Sequence, residues 1–269
     1  MVQLPHPHLQ KYIRNYWMVS TNFEEQYQFI TYLPKGVCFM TICVDAPPVV
    51  KIPHLGLVTA PMISINGQTK GNQISVGFKG VNTYVGIDFQ VTGLSELLGI
   101  PMHEFTDTAI NLEDIFPQES ETLLSKIRDK KGMPHYAKVL DEFFLENGRF
   151  TTNNQLTKCS AAVNSVLHNS ASNVTALSHY LNISDRQLRN VFNEHVGISP
   201  KNLLSISRFR KLYYQLQYSP AKPLDELAFD MGYFDLSHMV KEFKKFTGAK
   251  PTSLLKEEQK RHDNYFKLY

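Results

Sequence analysis

The spacing of apolar residues changes along the chain near residue 90. Before it, short runs rich in β-branched and aromatic residues are separated by proline and glycine, a pattern typical of strands in a compact sandwich or barrel. The predicted strands are residues 29–33, 37–42, 57–58, 63–65, 74–78 and 84–89. Residues 9–18 place apolar side chains at helical or mixed spacing, which predicts a short helix ahead of the strands.

Helical spacing follows the predicted strands. Residues 93–99 predict one or two turns that end at Gly99, and residues 117–131 and 134–147 predict amphipathic helices. The polar segment 151–158 predicts a linker, which separates a domain at 1–150 from a domain at 159–269. In the second domain we predict a helix at 159–169, a helix pair at 174–196, a connecting helix at 199–218, a second pair at 223–247 and a last helix from Pro251.

One pattern occurs twice in the second domain. The first copy is Leu177-Ser178, Leu181-Asn182-Ile183-Ser184, Leu188, Phe192, Gly197 and Ser199-Pro200, and the second is Leu227-Ala228, Met231-Gly232-Tyr233, Met239, Phe243, Gly248 and Lys250-Pro251. Two helices, a turn at a residue that tolerates positive φ, and a Gly-x-x-Pro end predict a helix-turn-helix unit. Two such units on one surface suit the binding of a DNA duplex.

The second helix of each unit has an outward face with side chains suited to DNA. Helical spacing turns outward Arg186, Arg189, Asn190 and Asn193 in the first unit, and Ser237, Val240, Lys241 and Lys244 in the second. Arginine can form two hydrogen bonds with guanine and asparagine two with adenine, whereas serine and lysine contact bases or phosphates. The candidate phosphate contacts are Arg208, Lys244, Lys245 and Lys250, and His238 lies where it could reach a base edge.

Residues 159–260 resemble the DNA-binding domain of the AraC/XylS family of bacterial transcription regulators. The matching segments are Ser184-x3-Leu188-x3-Phe192-x4-Gly197-x-Ser199-Pro200, Asp225-Glu226-Leu227-Ala228-x3-Gly232-Tyr233-x-Asp235-x-Ser237-x5-Phe243-Lys244-Lys245-x2-Gly248, and Lys250-Pro251. The resemblance implies a seven-helix domain whose two recognition helices enter successive major-groove segments. By position it implies base contacts by Arg186, Arg189, Asn190, Ser237, His238 and Lys241. It also implies an activator that works with RNA polymerase. Leu236 and Val240 make the second recognition helix less polar than many in the family.

Residues 1–150 resemble the N-terminal domain found in a subgroup of these regulators. The matching pieces are Leu33-Pro34-x-Gly36, Gly56-x3-Thr59-x-Pro61, Val85-Gly86-Ile87-x-Phe89 and Gly93-x4-Leu98-Gly99-Ile100-Pro101. In the family this region is a small β-rich sensor or dimerisation domain. The expected fold class is therefore α+β, with a cupin-like N-terminal barrel or sandwich that includes helices and an all-α C-terminal domain with two helix-turn-helix units. A small-molecule effector and a homodimer are left open. The aromatic residues of the first domain favour core packing over the lining of a ligand pocket.

Charge and cysteine content limit the partners. The net charge of +3 hides an asymmetry, because residues 1–157 hold 12 Lys/Arg against 15 Asp/Glu and residues 158–269 hold 16 against 10. Only the basic second domain is therefore expected to bind a polyanion. Cys38, Cys43 and Cys159 lack metal-site spacing and indicate buried, reduced thiols. The chain has no apolar run that predicts a membrane span and no signal-peptide pattern, so we expect a cytoplasmic protein without a membrane partner.

The leading interpretation is a sequence-specific transcription regulator with no enzymatic activity and no metal or other cofactor. The alternative is an enzyme fused to a DNA-binding domain, either a metal-dependent cupin-like enzyme or a DNA-repair protein with a thiol nucleophile. The sequence has no His-x-His…Glu…His cluster and no zinc-spaced cysteines, which disfavours both. A third interpretation is an architectural protein that binds DNA without sequence preference. For the leading interpretation we expect residues 159–269 to bind an asymmetric site as a monomer.

Overall fold

A computed structural model of the chain describes residues 1–23, 26–53, 55–71, 74–167, 173–218 and 222–253. Its N-terminal half contains two antiparallel sheets. The larger sheet has the order β1 (Val2–Gln3), β2 (Ile13–Asn22), β9 (Val81–Phe89), β4 (Phe39–Cys43), β7 (Ile63–Asn66) and β10 (Ala109–Asn111). The smaller sheet has the order β3 (Gln28–Thr31), β8 (Ser75–Phe78), β5 (Val49–Ile52) and β6 (Gly56–Thr59). This arrangement confirms the predicted β-rich N-terminal domain.

Three helices complete the N-terminal half: α1 (Gly93–Leu98), α2 (Pro117–Asp129) and α3 (Met133–Asn147). They share one hydrophobic core with the larger sheet, where the ring of Phe89 on β9 meets that of Phe144 on α3 with centroids 5.8 Å apart. The two sheets pack through a smaller cluster that contains Cys43, Phe78 and Tyr84. A cavity in this core, lined by residues that include Phe89, Leu98 and Phe143, has a volume of about 10 Å³. This is room for about one water molecule and too little for an effector.

The predicted helix at 9–18 is wrong for most of its length. Residues Pro7–Leu9 form a short 3-10 helix, and residues from Ile13 onward belong to β2. This strand lies between β1 and β9 and has an irregular register between Ile13 and Asn15. Side chains on both faces of its first half are buried or half-buried, from Ile13 to Trp17, so the alternation of apolar and polar residues that marks a half-exposed strand is lost.

The C-terminal half is entirely helical in the described residues. Its helices are α4 (Asn154–Leu167), α5 (Val174–Tyr180), α6 (Asp185–His195), α7 (Pro200–Tyr218), α8 (Leu224–Asp230) and α9 (Leu236–Thr247). Residues 154–158 of the predicted linker belong to α4, because the Asn153 side chain accepts a hydrogen bond from the Leu156 amide and Leu156 is buried. The predicted ends of this helix at 168–169 and of the last helix beyond residue 253 lie outside the described residues.

The helices of the described residues include none with the length and apolar character needed to cross a bilayer.

Candidate nucleic-acid interface

Two turns position the candidate recognition helices. Asn182 lies between α5 and α6 with φ of 51°, and Gly232 lies between α8 and α9 with φ of 75°. Asparagine and glycine are the residues that adopt this left-handed conformation most readily, so both turns follow from the sequence. The two positions correspond in the repeat, and each bends the chain from the first helix of a unit into the second.

Side-chain caps fix the residue at which each recognition helix starts. Ser184 accepts a hydrogen bond from the Gln187 amide at 3.2 Å, while the Gln187 side chain accepts one from the Ser184 amide at 2.9 Å. This reciprocal pair is a capping box. Asp235 caps α9 by accepting a hydrogen bond from the His238 amide at 2.6 Å. The caps set the helical phase, which determines the side chains that face outward.

The inner faces of both units are buried as the repeat predicts. Leu188, Phe192 and Met239 are fully buried, and Phe243 is 1% exposed. The Phe243 ring lies 5.5 Å from that of Phe209 on α7 in an edge-to-face arrangement. One hydrophobic core therefore extends through both units and the connecting helix α7.

The predicted base-contacting residues lie on the outer surface of the two recognition helices. Arg186, Arg189 and Asn190 are exposed on α6, and Ser237, His238 and Lys241 are exposed on α9. Val240, which helical spacing placed outward, is half-buried against the core. The His238 ring packs edge-on against Tyr233, with centroids 5.4 Å apart. Each recognition helix thus presents a short row of polar and cationic side chains.

The predicted phosphate contacts divide into two groups. Lys244, Lys245 and Lys250 are exposed. The Lys245 side chain lies close to Gly71 of the N-terminal half, where an added Cβ atom would be only 2.8 Å from Lys245 Cε. Arg208 is different, because it is half-buried and its Nε and Nη2 donate to the carboxylate of Glu242 at 3.1 and 2.8 Å. Its guanidinium also lies over the Tyr233 ring at 4.6 Å. Arg208 thereby ties α7 to α9, and its guanidinium is engaged by Glu242 and Tyr233 within the protein.

The N-terminal half packs directly on the first recognition helix. Ser95 of α1 and His195 at the end of α6 share a buried hydrogen bond of 3.0 Å. The Thr106 hydroxyl donates to the Gly197 carbonyl at 2.5 Å, and the Thr92 and Ser160 hydroxyls are 3.0 Å apart. The two halves therefore meet along a continuous seam, and a change in the N-terminal half has a structural path to α6.

His195 makes this seam sensitive to acid. Burial lowers the pKa of His195, although the nearby carboxylates of Glu194 and Glu96 oppose this shift. The unfolded chain therefore binds more protons than the folded chain below the ordinary histidine pKa of about 6.5. We expect the melting temperature to fall as the pH decreases from about 7 to 5, and we expect His195→Gln to reduce this dependence. Equal pH dependence of the two proteins in thermal unfolding would exclude His195 as the cause.

A cavity of about 530 Å³ lies between the two halves. One wall is the segment 33–37 between β3 and β4, with Arg14 of β2, and the opposite wall is α7 with Met231. A volume of this size is typical of small-molecule sites. Sequence reasoning missed it, because its walls come from segments that are far apart in the chain and each has an ordinary composition.

Four cationic side chains of the described residues line this cavity. Its lining includes Arg14 and Lys35 from the N-terminal half, and Arg210 and Lys211 from α7. Lys35 Nζ lies 3.2 Å from the buried carboxylate of Asp88. Burial lowers the pKa of Lys35, Asp88 opposes this shift, and the positive charges of Arg210 and Arg14 add to it. The charges of Arg210 and Arg14 therefore repel that of Lys35 within a partly enclosed apolar space.

The residues that the enzyme interpretations require are not brought together. Cys38, Cys43 and Cys159 are buried free thiols. Burial raises the pKa of Cys38 and Cys43 to about 12 and also raises that of Cys159, which disfavours the reactive thiolate. The described residues contain no group of three or more His, Cys, Asp or Glu side chains arranged to hold a metal ion.

Two stretches of the chain match known protein families. Residues 177–257 match a family described as a helix-turn-helix domain (HTH_18), and this range includes both recognition helices. Residues 2–111 match a family described as a domain of unknown function (DUF6597). No curated protein sequence matches the chain.

Several solved structures match most of the chain at low sequence identity. A crystal structure of ToxT from Vibrio cholerae has 11% identity and a TM-score of 0.46, and the match covers 89% of this chain and 97% of that one. Unsaturated fatty acid-bound ToxT from Vibrio cholerae strain SCE256 has 13% identity and a TM-score of 0.48, with coverage of 89% and 94%. The AraC-like transcriptional activator CuxR has 9% identity and a TM-score of 0.29, with coverage of 81% and 86%.

Proposed function

We propose that this chain, an AraC-family helix-turn-helix transcription regulator, is a sequence-specific activator whose affinity for DNA responds to a small molecule bound between its two halves. Its partners in this role are double-stranded DNA, RNA polymerase and the effector. The sequence leaves self-association into a homodimer open. The cavity with one wall on α7 is the observation that carries the effector part of the proposal.

The proposed DNA contacts follow from exposure on the two recognition helices. Arg186, Arg189 and Asn190 of α6 and Ser237, His238 and Lys241 of α9 contact base edges, and Lys244, Lys245 and Lys250 contact phosphates. Because one chain carries both helices, a single protomer covers two major-groove segments on one face of the duplex, about 34 Å apart. The expected site is therefore asymmetric.

The effector is coupled to DNA through α7. This helix joins the first unit to the second, and the Arg208–Glu242 ion pair attaches it to α9. The Arg210 guanidinium also donates a hydrogen bond to the Lys35 carbonyl on the opposite wall of the cavity. A ligand that changes the packing of α7 on the segment 33–37 alters the relative placement of the recognition helices. It shifts DNA affinity to the extent that it prefers one arrangement over the other.

The lining of the cavity indicates the class of effector. Leu33, Val37, Ile206 and Phe209 contribute apolar surface, whereas Arg14, Lys35, Arg210 and Lys211 contribute positive charge. An anion placed among these cations reduces their mutual repulsion, and an apolar body fills the remaining volume. The effector is therefore an amphipathic anion, such as an alkyl carboxylate.

Decanoate and decanol distinguish charge from apolar burial at this site. We expect decanoate to raise the melting temperature of the full-length protein and to change its affinity for a selected DNA site by about fivefold or more, with a much smaller effect of decanol. Arg210→Gln should reduce the response, whereas Lys201→Gln, an exposed cation on the same helix outside the cavity, should retain it. Equal effects of the acid and the alcohol, or no effect of either, would contradict the proposed effector class.

A further inference from the structure

Two apolar side chains stand exposed at the start of the second recognition helix. Phe234 is 91% exposed in the turn before α9, and Leu236 is 40% exposed at the first residue of the helix. Asp235 between them is the helix cap. The following residues, Ser237 and His238, are exposed polar residues. Large apolar groups therefore lie beside the side chains proposed to contact bases.

The surrounding charge indicates what covers these groups. Lys241 and Lys244 are exposed on the same helix, so the partner of this surface is a polyanion. In the major groove the apolar feature of a base pair is the 5-methyl group of thymine, and the N-terminal residues of a recognition helix are those that contact base edges. Apolar side chains at this position therefore have a specific counterpart on DNA.

We infer that Phe234 and Leu236 recognise thymine methyl groups in the part of the site bound by the second helix-turn-helix unit. This inference rests on the proposed sequence-specific DNA binding. It gives the second recognition helix a means of reading sequence besides its polar side chains, because burial of a methyl group distinguishes thymine from cytosine and from both purines. Phe229 on α8 is also 82% exposed, but the first helix of a unit crosses the DNA backbone and does not face bases.

Deoxyuridine tests this assignment, because it keeps the pairing and the O4 acceptor of thymine and lacks only the methyl group. A site is first selected from random DNA with the full-length protein, and each thymine is then replaced singly on either strand. We expect one or two positions at which the replacement weakens binding about fourfold, the effect of burying one methyl group. At such a position Leu236→Ala or Phe234→Ala should bring the ratio of thymine to deoxyuridine affinity close to one.

Phe229→Ala is the matched control, because it removes an equally exposed aromatic ring from the same unit and should leave the ratio unchanged. The ratio compares two DNAs with one protein preparation, so partial unfolding of a variant does not affect it. The inference would be overturned, with sequence-specific binding intact, if the wild-type protein is insensitive to every replacement. It would also be overturned if both alanine variants keep the wild-type ratio of thymine to deoxyuridine affinity. Failure of the full-length protein to select any sequence would overturn the proposed function and this inference together. Loss of transcription activation in these variants with an unchanged ratio would also overturn it and would indicate a protein partner at this surface.

Discussion

Phe243→Ala is expected to lower the free energy of unfolding of the C-terminal half by about 3–5 kcal/mol. The ring is 1% exposed and lies among aromatic residues of α7, with centroids 5.5 Å from Phe209 and 6.3 Å from Tyr213. Its removal leaves a cavity between α9 and α7 that rigid helices fill only in part. Since α9 is a recognition helix, specific DNA binding should be lost with the fold of the second unit.

Thermal and chemical unfolding of the full-length protein measure this effect. Phe229→Ala is the control for stability as well, because that ring is 82% exposed and buries little surface in the folded chain. Phe192, which is fully buried at the corresponding position of the first unit, should respond as Phe243 does. A normal melting temperature for Phe243→Ala would show that the alignment of the two copies is wrong.

Arg189→Ala is expected to relax sequence preference by about 1–3 kcal/mol at one base pair, which is the discrimination that one bidentate arginine–guanine contact supplies. Arg189 is exposed in the middle of α6, and the capping box at Ser184 fixes the direction in which it points. Asn190→Ala, at the neighbouring position, should lower the preference for adenine at another base pair by a similar amount. Each variant should bind random DNA almost as well as the wild-type protein does.

Competition between the selected site and random DNA measures this preference at one salt concentration. Lys250→Ala is the control, because loss of a phosphate contact weakens binding equally on all sequences. It should also reduce the slope of log affinity against log salt concentration by about one. An equal loss of affinity on selected and random DNA for Arg189→Ala would assign Arg189 to phosphate.

The helix-turn-helix repeat could be predicted because its signals are local. A helix is specified by side chains three and four positions apart, and its ends by caps such as Ser184 and Asp235. The positive φ of Asn182 and Gly232 follows equally from residue type. The sequence alone therefore determined the helices, their buried faces and the exposed candidate base contacts. It also determined the β-rich character of the first half, through short apolar runs interrupted by proline and glycine.

Only the tertiary structure decided the features that join distant segments. Asp88 of β9 holds Lys35, and Glu242 of α9 holds Arg208, which the sequence had placed among the phosphate contacts. Strand β2 resembled a helix in sequence because side chains on both of its faces are buried or half-buried in its first half. The cavity has walls from segment 33–37 and from α7, across which Lys35 and Arg210 meet although they are 175 positions apart. Such contacts depend on how the halves pack against each other, and no local pattern of apolar and polar residues encodes which surfaces will meet.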